Sequence, residues 1–526
     1  MTFTGKLLPY QPEAVDRMVE RKKMLVAYDL GLGKTVLTIA AIERLRDEDK
    51  LVGPGLIICL SSLKYQWASQ IEKFTDGAAN TMVIDGTPSQ RSRQYAEAID
   101  WGTSLVDYVI VNYEQVVRDW DFIEQLNKSF IVIDEATAIK SFKSKRSKYV
   151  KKLNSTYKFA LTGTPVENGK PEELFSIMQF VDPKVLGRFD MFDKTFIVRN
   201  QFGGVDRYRN LPTLNKALAA ACVRKRQSDP DVAPFLPETI MAEPILVNFD
   251  SKSKKLYRFI ADQLMLDLED ALATFGGSFD IFSHYDGSDQ GGEMDELRGR
   301  IMSKITCLRM LCDHPALLRH SAEIYSPMTG EGSSYAADLM DMGMMDGDPE
   351  PTKLNVLKEY VDNFLSDYEG NKIVIFTSYV KMVDLIREAL PYESAGYTGR
   401  LSAKEKEASK VEFQTNPNCR VLVSSDAGGY GVDLPQANLL INYDLPWNAG
   451  LATQRNGRIK RASSAWEHIV IQDILIKGSI EERQYALLQQ KTAVANAVID
   501  GEGINDRGGV TFTAGTLRSF LLDAMI

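Results

Sequence analysis

Met24-Leu25-Val26-Ala27-Tyr28-Asp29-Leu30-Gly31-Leu32-Gly33-Lys34-Thr35 is an apolar run that passes directly into a glycine-containing loop. The run is typical of a buried parallel strand, and residues 36–46 continue as a helix pattern. In such a unit the glycines let backbone N–H groups wrap phosphate oxygens, and the start of the helix adds a partial positive charge. The stretch therefore predicts an α/β fold with a phosphate site after its first strand.

Two side chains at the end of this loop suit a nucleotide and its metal ion. Lys34 can reach the outer phosphates of ATP, and Thr35 can bind Mg²⁺ through its hydroxyl. The loop departs from the simple G-x-x-x-x-G-K-[ST] pattern, because Tyr28 occupies the first glycine position. An ordinary strand–helix turn is the alternative interpretation.

A second apolar strand, Phe130-Ile131-Val132-Ile133, ends in the carboxylates Asp134 and Glu135. At the carboxyl edge of a parallel sheet these groups would lie near the phosphates. We expect Asp134 to hold Mg²⁺ and Glu135 to polarise the attacking water. The alternative is an acid that only caps the next helix.

The same strand-and-helix alternation occurs in two regions separated by helical patterns near residues 250–272 and 293–318. Two Gly-, Ser- and Asp-rich stretches, 276–293 and 326–351, read as mobile, and the second as a hinge linker. The resulting prediction is an α/β lobe one over residues 1–240, a helical insertion and flexible linker over 241–350, lobe two over 351–500, and a tail over 501–526 that packs on lobe two.

Composition limits the partners and the location. The 526-residue chain carries a net charge of −9 and has no apolar run of membrane-spanning length, so we expect a cytoplasmic protein without a membrane partner. Its five cysteines are scattered, which fits reduced thiols better than a metal site at Cys307, Cys312 and His314. A basic run between Lys140 and Lys158 contains no acid and is either a solvated face or a nucleic-acid contact.

Further motifs occur in a fixed order along the chain. In the first half they are Leu8-Pro9-Tyr10-Gln11, the 29–35 loop, Leu56-Ile57-Ile58-Cys59-Leu60-Ser61-Ser62-Leu63 with Trp67 and Phe74, Asp134-Glu135-Ala136-Thr137, and Leu161-Thr162-Gly163-Thr164-Pro165. Next come Arg224-Lys225-Arg226, Leu236-Pro237-Glu238, Leu308-Arg309-Met310-Leu311-Cys312-Asp313-His314-Pro315 and Pro351-Thr352-Lys353-Leu354. The motifs of the second half are Ile373-Val374-Ile375-Phe376-Thr377, the 424–434 segment and Gln454-Arg455-Asn456-Gly457-Arg458-Ile459-Lys460-Arg461. This ordered set resembles superfamily-two helicases, and the stretches at 224–226, 236–238, 308–315 and 351–354 resemble, within them, the Swi/Snf-type ATPases that translocate on DNA.

The resemblance implies two RecA-like parallel-sheet lobes with an inserted helical region, and it assigns roles to individual residues. The implied catalytic residues are Glu135, Lys34, Gln454 and the arginine fingers Arg458 and Arg461. The implied nucleotide-binding residues are Gln11, which would contact the adenine, with Gly31, Gly33, Lys34, Thr35, Gly431 and Asp433. The metal ligands would be Thr35 and Asp134, and the nucleic-acid contacts Ser62, Lys140, Lys143, Lys145 and Thr377. Thr137 in place of the usual histidine and Ala462-Ser463-Ser464 after the fingers depart from the family pattern.

These motifs favour a DNA-stimulated ATPase that uses ATP and Mg²⁺ to translocate on or remodel duplex DNA. A strand-separating helicase on branched DNA or RNA shares every ATP-site residue and remains open. An ATP-timed DNA clamp or scaffold, whose turnover only times release, is the third hypothesis. Duplex DNA is the expected partner, ahead of RNA; a monomer associated with nucleoid or viral DNA is compatible with this motor, and the sequence identifies no protein partner.

Overall fold

The computed structural model describes residues 3–99, 106–199, 205–275, 281, 292–347, 349–426, 432–501, 507–508 and 514–525. The chain divides into two compact units. The first, which contains lobe one, comprises Met1–Val198, Asp206–Leu236 and Lys491–Gly509, and the second, which contains the helical insertion and lobe two, comprises Arg199–Val205, Pro237–Gln490 and Val510–Ile526. No helix among the described residues is both long and apolar enough to cross a membrane.

Lobe one is built on a seven-stranded sheet in which the strand order is β3-β4-β2-β5-β6-β1-β9. Every pairing along it is parallel. A three-stranded sheet of order β17-β8-β7 accompanies it. The strands are β1 Lys23–Tyr28, β2 Gly55–Cys59, β3 Thr81–Val83, β4 Tyr108–Asn112, β5 Phe130–Asp134, β6 Tyr157–Leu161, β7 Ile197–Arg199, β8 Val205–Tyr208, β9 Cys222–Lys225 and, late in the chain, β17 Arg507–Gly508.

Helices connect these strands, as parallel pairing requires a crossover between successive strands. The α-helices of lobe one are Pro12–Arg21, Lys34–Asp47, Lys64–Thr75, Pro88–Ile99, Tyr113–Arg118, Trp120–Gln125, Lys145–Lys152, Pro171–Val181, Pro183–Leu186, Phe189–Phe196 and Leu211–Ala219. Short 3₁₀ helices lie at Ser61–Leu63, Ala136–Ile139 and Ala233–Phe235. β2, β5 and β6 are buried along their whole length, which explains why they read as continuous apolar runs.

Lobe two contains a second seven-stranded sheet, of order β10-β16-β15-β12-β14-β13 with β11 also paired to β16. These pairings are parallel as well. Its strands are β10 Glu238–Met241, β11 Ile245–Val247, β12 Ile373–Thr377, β13 Ser394–Tyr397, β14 Val421–Ser425, β15 Leu439–Asn442 and β16 His468–Ile476. Its helices are Thr352–Asp367, Val380–Ala389, Ala403–Thr415, Ala449–Asn456 and Ile480–Ile499.

Four described helices between β11 and the helix Thr352–Asp367 form the insertion: Ser251–Phe275, Glu293–Asp313, Pro315–Glu323 and Ser334–Asp341. Two parallel-sheet lobes with a helical insertion confirm the predicted fold class. The stretch predicted as a flexible linker differs from that prediction, because residues 334–341 form a helix that packs on Pro315–Glu323. Ala336 and Leu339, three residues apart, are its buried face. Most of the stretch 276–293 lies outside the described residues.

The end of the chain is divided between the two units. Residues 491–501, which include the last part of the helix Ile480–Ile499, are grouped with the first unit, where the Asn215 amide donates to the carbonyls of Val498 (3.3 Å) and Ile499 (2.7 Å). The last helix, Ala514–Met525, packs against the insertion helix Ser251–Phe275. Leu517 and Leu521 of this last helix are buried.

Candidate active site

Three adjacent strands of lobe one end beside one another, in the order β5-β6-β1. The acidic box, Asp134-Glu135-Ala136-Thr137, lies at the end of β5, and the 162–165 turn follows β6. The phosphate loop, residues 29–35, follows β1. Because the strands are parallel, these segments share the carboxyl edge of the sheet, where α/β proteins bind ligands. The topology therefore brings together motifs that are far apart in sequence.

The phosphate loop has the backbone conformation that its glycines permit. Gly31 and Gly33 have φ angles of 80° and 78°, in the left-handed region. Gly33 caps the helix Lys34–Asp47, so Lys34 and Thr35 form its first turn. The Lys34 ammonium donates to the carbonyls of Tyr28 (2.9 Å) and Asp29 (3.2 Å) and therefore lies across the loop.

Gln11, the residue predicted to contact the adenine, connects the segment 8–11 to this loop. Its side-chain N–H group donates to the carbonyl of Leu32 at 3.0 Å, and its side-chain oxygen accepts from the N–H of Leu8 at 2.9 Å. A Cβ on Gly33 would collide with the Gln11 amide. Gln11 is thus buried against the phosphate loop, next to the residues predicted to hold the phosphates.

The entrance to the loop is fixed by residues whose role the sequence did not predict. The Asp29 carboxylate accepts from the Arg224 guanidinium at 2.5 Å and from the N–H of Gln227 at 2.9 Å. Arg224 also binds Asp500 at 2.7 Å, within the segment that follows lobe two in sequence. In the sequence, Arg224 belongs to the signature 224–226, whereas no local pattern predicts a role for Asp500.

The acidic box is held by side chains from the helices that follow β2 and β4. Trp67 Nε1–H donates to Asp134 Oδ2 at 2.8 Å, and the N–H of Glu135 donates to Asp134 Oδ1 at 2.9 Å. The Tyr113 hydroxyl donates to the main-chain carbonyl of Asp134 at 2.7 Å. Burial raises the pKa of the Asp134 carboxyl, whereas the Trp67 hydrogen bond and the Lys34 charge oppose that shift.

Glu135 has a backbone conformation that non-glycine residues seldom adopt. Its φ and ψ angles are 48° and 58°, in the left-handed region. Such residues cluster at active sites, where the surrounding structure holds them in place. The turn after Asp134 therefore sets the direction of the Glu135 side chain at the same sheet edge as the phosphate loop.

The 162–165 turn packs directly on the phosphate loop. The N–H of Thr162 donates to the carbonyl of Val26 in β1 at 3.1 Å. A Cβ on Gly163 would approach Leu30 to 3.1 Å, so glycine permits close packing of the turn on the loop. A change in the phosphate loop can consequently reach this turn by direct contact.

The basic run divides into buried or paired residues and an exposed group. Lys140 forms an ion pair with Glu167 at 2.5 Å, and Arg146 pairs with Glu114. Burial lowers the pKa values of Lys151 and Lys158 to about 8. The lysines of the run that are exposed are Lys143, Lys145, Lys148 and Lys152.

In lobe two, Arg455 joins the ends of three adjacent strands. Arg455 is only 2% exposed. Its guanidinium donates to the Asp426 carboxylate after β14 at 2.6 Å and to the carbonyl of Asp444 after β15 at 2.6 Å. It also donates to Ser378 Oγ after β12 at 3.3 Å. Although burial opposes the shift, Arg455 and Arg309 lower the pKa of the Asp444 carboxyl. In the sequence, the only signal for Arg455 is its place inside the arginine motif 454–461.

The other residues of the arginine motif 454–461 flank this anchor. Arg461 is nearly buried and binds Asp433 Oδ1 through Nε (2.7 Å) and Nη2 (2.6 Å). The carbonyl of Arg458 accepts from the N–H of Leu434 at 3.0 Å, which ties the motif to the segment after β14. Gln454 is buried one turn earlier. The structure therefore gathers these lobe-two candidates, while Gly431 lies outside the described residues.

Two of the residues predicted to contact nucleic acid have contrasting surroundings. Ser62 is exposed in the 3₁₀ helix Ser61–Leu63. Thr377 is completely buried, and its hydroxyl donates to Asp444 at 2.6 Å. This environment gives Thr377 a structural role in lobe two; its predicted nucleic-acid contact stays a prediction.

A buried ion cluster explains two of the signatures noted in the sequence. Lys353 contacts Asp313 at 3.2 Å and Glu481 at 2.6 Å, and all three side chains are almost fully buried. Asp313 comes from the insertion and Glu481 from the helix after β16. The cluster therefore joins the insertion to lobe two within the second unit.

Replacing Lys353 with methionine is expected to destabilise the protein by about 3–5 kcal/mol, because two buried carboxylates would lose their shared cation. Chemical denaturation of the full chain measures the change. Lys358→Met is the matched control, since Lys358 is exposed on the same helix. Equal stability of the two variants would contradict the proposed energetic role of the cluster.

A phosphate loop, an acidic box on a nearby parallel strand and a second parallel-sheet lobe with an arginine motif define the class as a two-lobed P-loop ATPase of the helicase type. Two family models match the chain: the SNF2-related domain over residues 10–317 and the helicase conserved C-terminal domain over residues 352–463. The chain therefore belongs to the SNF2-related ATPase family, as its motifs indicated.

Curated relatives match along nearly the whole chain. The ISWI chromatin-remodeling complex ATPase ISW1 of Saccharomyces cerevisiae is 26% identical over 505 residues, 94% of this chain and 41% of that protein. The putative ATP-dependent helicase/translocase YwqA of Bacillus subtilis is 24% identical over 510 residues, 95% of this chain and 50% of that protein. The chain thus spans about two fifths to one half of the length of these relatives.

Solved structures give similar coverage. The Sulfolobus solfataricus SWI2/SNF2 ATPase core in complex with dsDNA is 26% identical, with a TM-score of 0.42 over 95% of this chain and 94% of that one. The Pyrococcus furiosus Hef helicase domain is 16% identical, with a TM-score of 0.50 over 91% of this chain and 97% of that one. The second likeness supports the fold.

Proposed function

We propose that this ATPase is stimulated by duplex DNA and couples ATP hydrolysis to translocation on it. One observation carries the proposal: a single short segment begins at the carboxylates Asp134 and Glu135 and ends at exposed Lys143, Lys145 and Lys148. Between them, the Lys140–Glu167 ion pair ties this segment to the region after the 162–165 turn, which packs on the phosphate loop. This continuity between the predicted nucleotide site and an exposed basic surface supports the proposal.

The ATP-site residues divide the chemical work. Lys34 exchanges its two loop carbonyls for outer phosphate oxygens, and the turned backbone at Glu135 directs that carboxylate to orient and polarise water. Arg458 and Arg461 supply positive charge to the transferring phosphoryl group from lobe two. Gln11 contacts the adenine from its position beside the phosphate loop.

Mg²⁺ fits the donor set of lobe one. Asp134 offers a carboxylate and Thr35 a hydroxyl, which are the hard oxygen ligands that Mg²⁺ prefers. Each Asp134 oxygen accepts one hydrogen bond from the described residues, so acceptor capacity remains on both. When bound, the ion would neutralise charge on the outer phosphates.

The names of the curated relatives support a motor that acts on chromatin or nucleic acid, and duplex DNA as the track is our proposal. ISW1 is named as a chromatin-remodeling complex ATPase and YwqA as a putative helicase/translocase. Contacts to phosphates suit a motor, because it must step along any sequence. The net charge of −9 does not oppose this binding, since the exposed lysines are local to one face of the helix Lys145–Lys152 and the residues before it.

The function is tested by comparing ATP hydrolysis on duplex DNA, single-stranded DNA, forked DNA and RNA. We expect the strongest stimulation by duplex DNA, together with ATP-dependent displacement of a third strand from a triplex. Efficient fork unwinding would instead identify a strand-separating helicase. Hydrolysis and DNA binding without any displacement would identify an ATP-timed clamp.

The basic surface makes a separate prediction. In the double variant Lys143→Ala/Lys145→Ala, duplex affinity should fall about equally for all sequences, because these lysines would contact phosphates. The slope of log affinity against log salt should decrease in magnitude by about one per lysine. Binding titrations at several salt concentrations measure both. Lys73→Ala/Lys184→Ala, at exposed sites elsewhere in lobe one, is the control; an unchanged salt slope in the first variant would refute the assignment.

A further inference from the structure

Trp67 contacts Asp134, the predicted metal ligand, and has no assigned role of its own. It belongs to the helix Lys64–Thr75, which follows β2, and it is 2% exposed. β2 is the direct neighbour of β5 in the sheet, so this helix places the indole beside the end of β5. The Trp67 N–H group reaches Asp134 Oδ2 at 2.8 Å.

This hydrogen bond fixes the plane of the Asp134 carboxylate. The other oxygen, Oδ1, accepts from the N–H of Glu135 at 2.9 Å, so the two donors hold the two oxygens from different directions. Such a carboxylate cannot rotate about its terminal bond without losing one of two buried hydrogen bonds, and a buried acceptor left without a donor is costly. The acceptor capacity that remains on each oxygen consequently points in a set direction.

We propose that Trp67 is a positioning residue for the metal: its indole N–H orients Asp134 so that the carboxylate receives Mg²⁺ together with Thr35. The inference rests on the metal role of Asp134 in the proposed function. Groups that hydrogen-bond a metal ligand set its orientation, and losing one typically costs about 10–100-fold in metal affinity or activity. A tryptophan suits this position because its N–H is a donor only.

The experiment separates the hydrogen bond from the shape of the ring. Trp67→Phe removes the donor with part of the ring, and 3-benzothienylalanine in place of Trp67 removes the donor while keeping the bicyclic shape. 5-Fluorotryptophan at the same position keeps the N–H group. Binding of a fluorescent, slowly hydrolysed ATP analogue to the full chain is titrated with Mg²⁺, and binding in EDTA is measured in parallel.

We expect the half-saturating Mg²⁺ concentration to rise about tenfold or more in both variants that lack the donor. Binding in EDTA should stay unchanged, and the fluorotryptophan protein should match the parent. The matched control is Trp466→Phe, which removes an indole donor to the Gln436 carbonyl (2.8 Å) in lobe two and should leave the titration unchanged.

Two results would overturn the inference: an unchanged Mg²⁺ titration in the benzothienylalanine protein, or an equal loss of binding with and without Mg²⁺, which is the mark of a purely structural role. Asp134→Asn distinguishes this failure from failure of the metal assignment itself. If Asp134→Asn abolishes the Mg²⁺ dependence and loss of the Trp67 donor does not, only the Trp67 inference fails. If Asp134→Asn has no effect, the metal role of Asp134 fails with it.

Discussion

Replacing Arg458 with alanine is expected to lower kcat for ATP hydrolysis by about a thousandfold or more, with little loss of nucleotide affinity. An arginine finger stabilises the charge that spreads over the transferring phosphoryl group, and that charge develops only in the transition state. Removing it therefore lowers kcat and kcat/KM together. Steady-state hydrolysis with saturating duplex DNA, together with equilibrium binding of a nucleotide analogue, measures the two effects.

The control for Arg458→Ala is Arg400→Ala, because Arg400 is an exposed arginine of the same lobe. A kcat for Arg458→Ala equal to that of the control would refute the finger assignment. A lower DNA affinity with an unchanged rate at saturating DNA would instead place Arg458 on the track.

The lobe-one half of the site could be predicted because its parts are local in sequence. Glycine spacing at 31 and 33 determines a loop conformation, and the run before Asp134 determines a strand that ends in a carboxylate. Each of these parts comes with its own strand, so parallel packing places them on one edge without further information. The fold class followed for the same reason.

The supporting contacts could not be predicted, because they depend on the order of strands in the sheet. Trp67 contacts Asp134 only because β2 lies next to β5, and Arg455 joins the ends of three strands that are adjacent in lobe two but not in sequence. Asp500 reaches Arg224 from the far end of the chain. No periodicity or motif spacing encodes these distances.

The number of basic residues in the sequence is larger than the number that the structure exposes. Eight lysines and arginines occur between Lys140 and Lys158, but the helix Lys145–Lys152 turns Ser147 and Val150 inward and leaves Lys151 mostly covered. Lys158 lies in the buried strand β6. The charge of a lysine does not show whether it is exposed or covered. Its place in the 3.6-residue helical period or in a buried strand does.

Replacing Glu135 with glutamine is expected to lower kcat by about 10²–10⁴-fold while ATP binding is retained. Glutamine has nearly the same shape and cannot act as a base, and it leaves the left-handed backbone at this position under the same constraint as glutamate. Hydrolysis at saturating ATP and duplex DNA gives kcat, and a binding titration with labelled nucleotide gives affinity. Glu124→Gln, at an exposed glutamate of lobe one, is the control.

Unchanged hydrolysis in Glu135→Gln would show that another group activates the water. If hydrolysis stops and binding persists, comparison of this variant with the parent protein distinguishes a motor from a clamp, because the variant holds ATP without turning it over. A translocase in that state remains on duplex DNA and ceases to displace a triplex strand, since each step requires hydrolysis. A clamp in that state dissociates from DNA more slowly, and neither the variant nor its parent protein displaces a strand. Strand displacement by the parent protein, lost in Glu135→Gln, is therefore the result that identifies a motor.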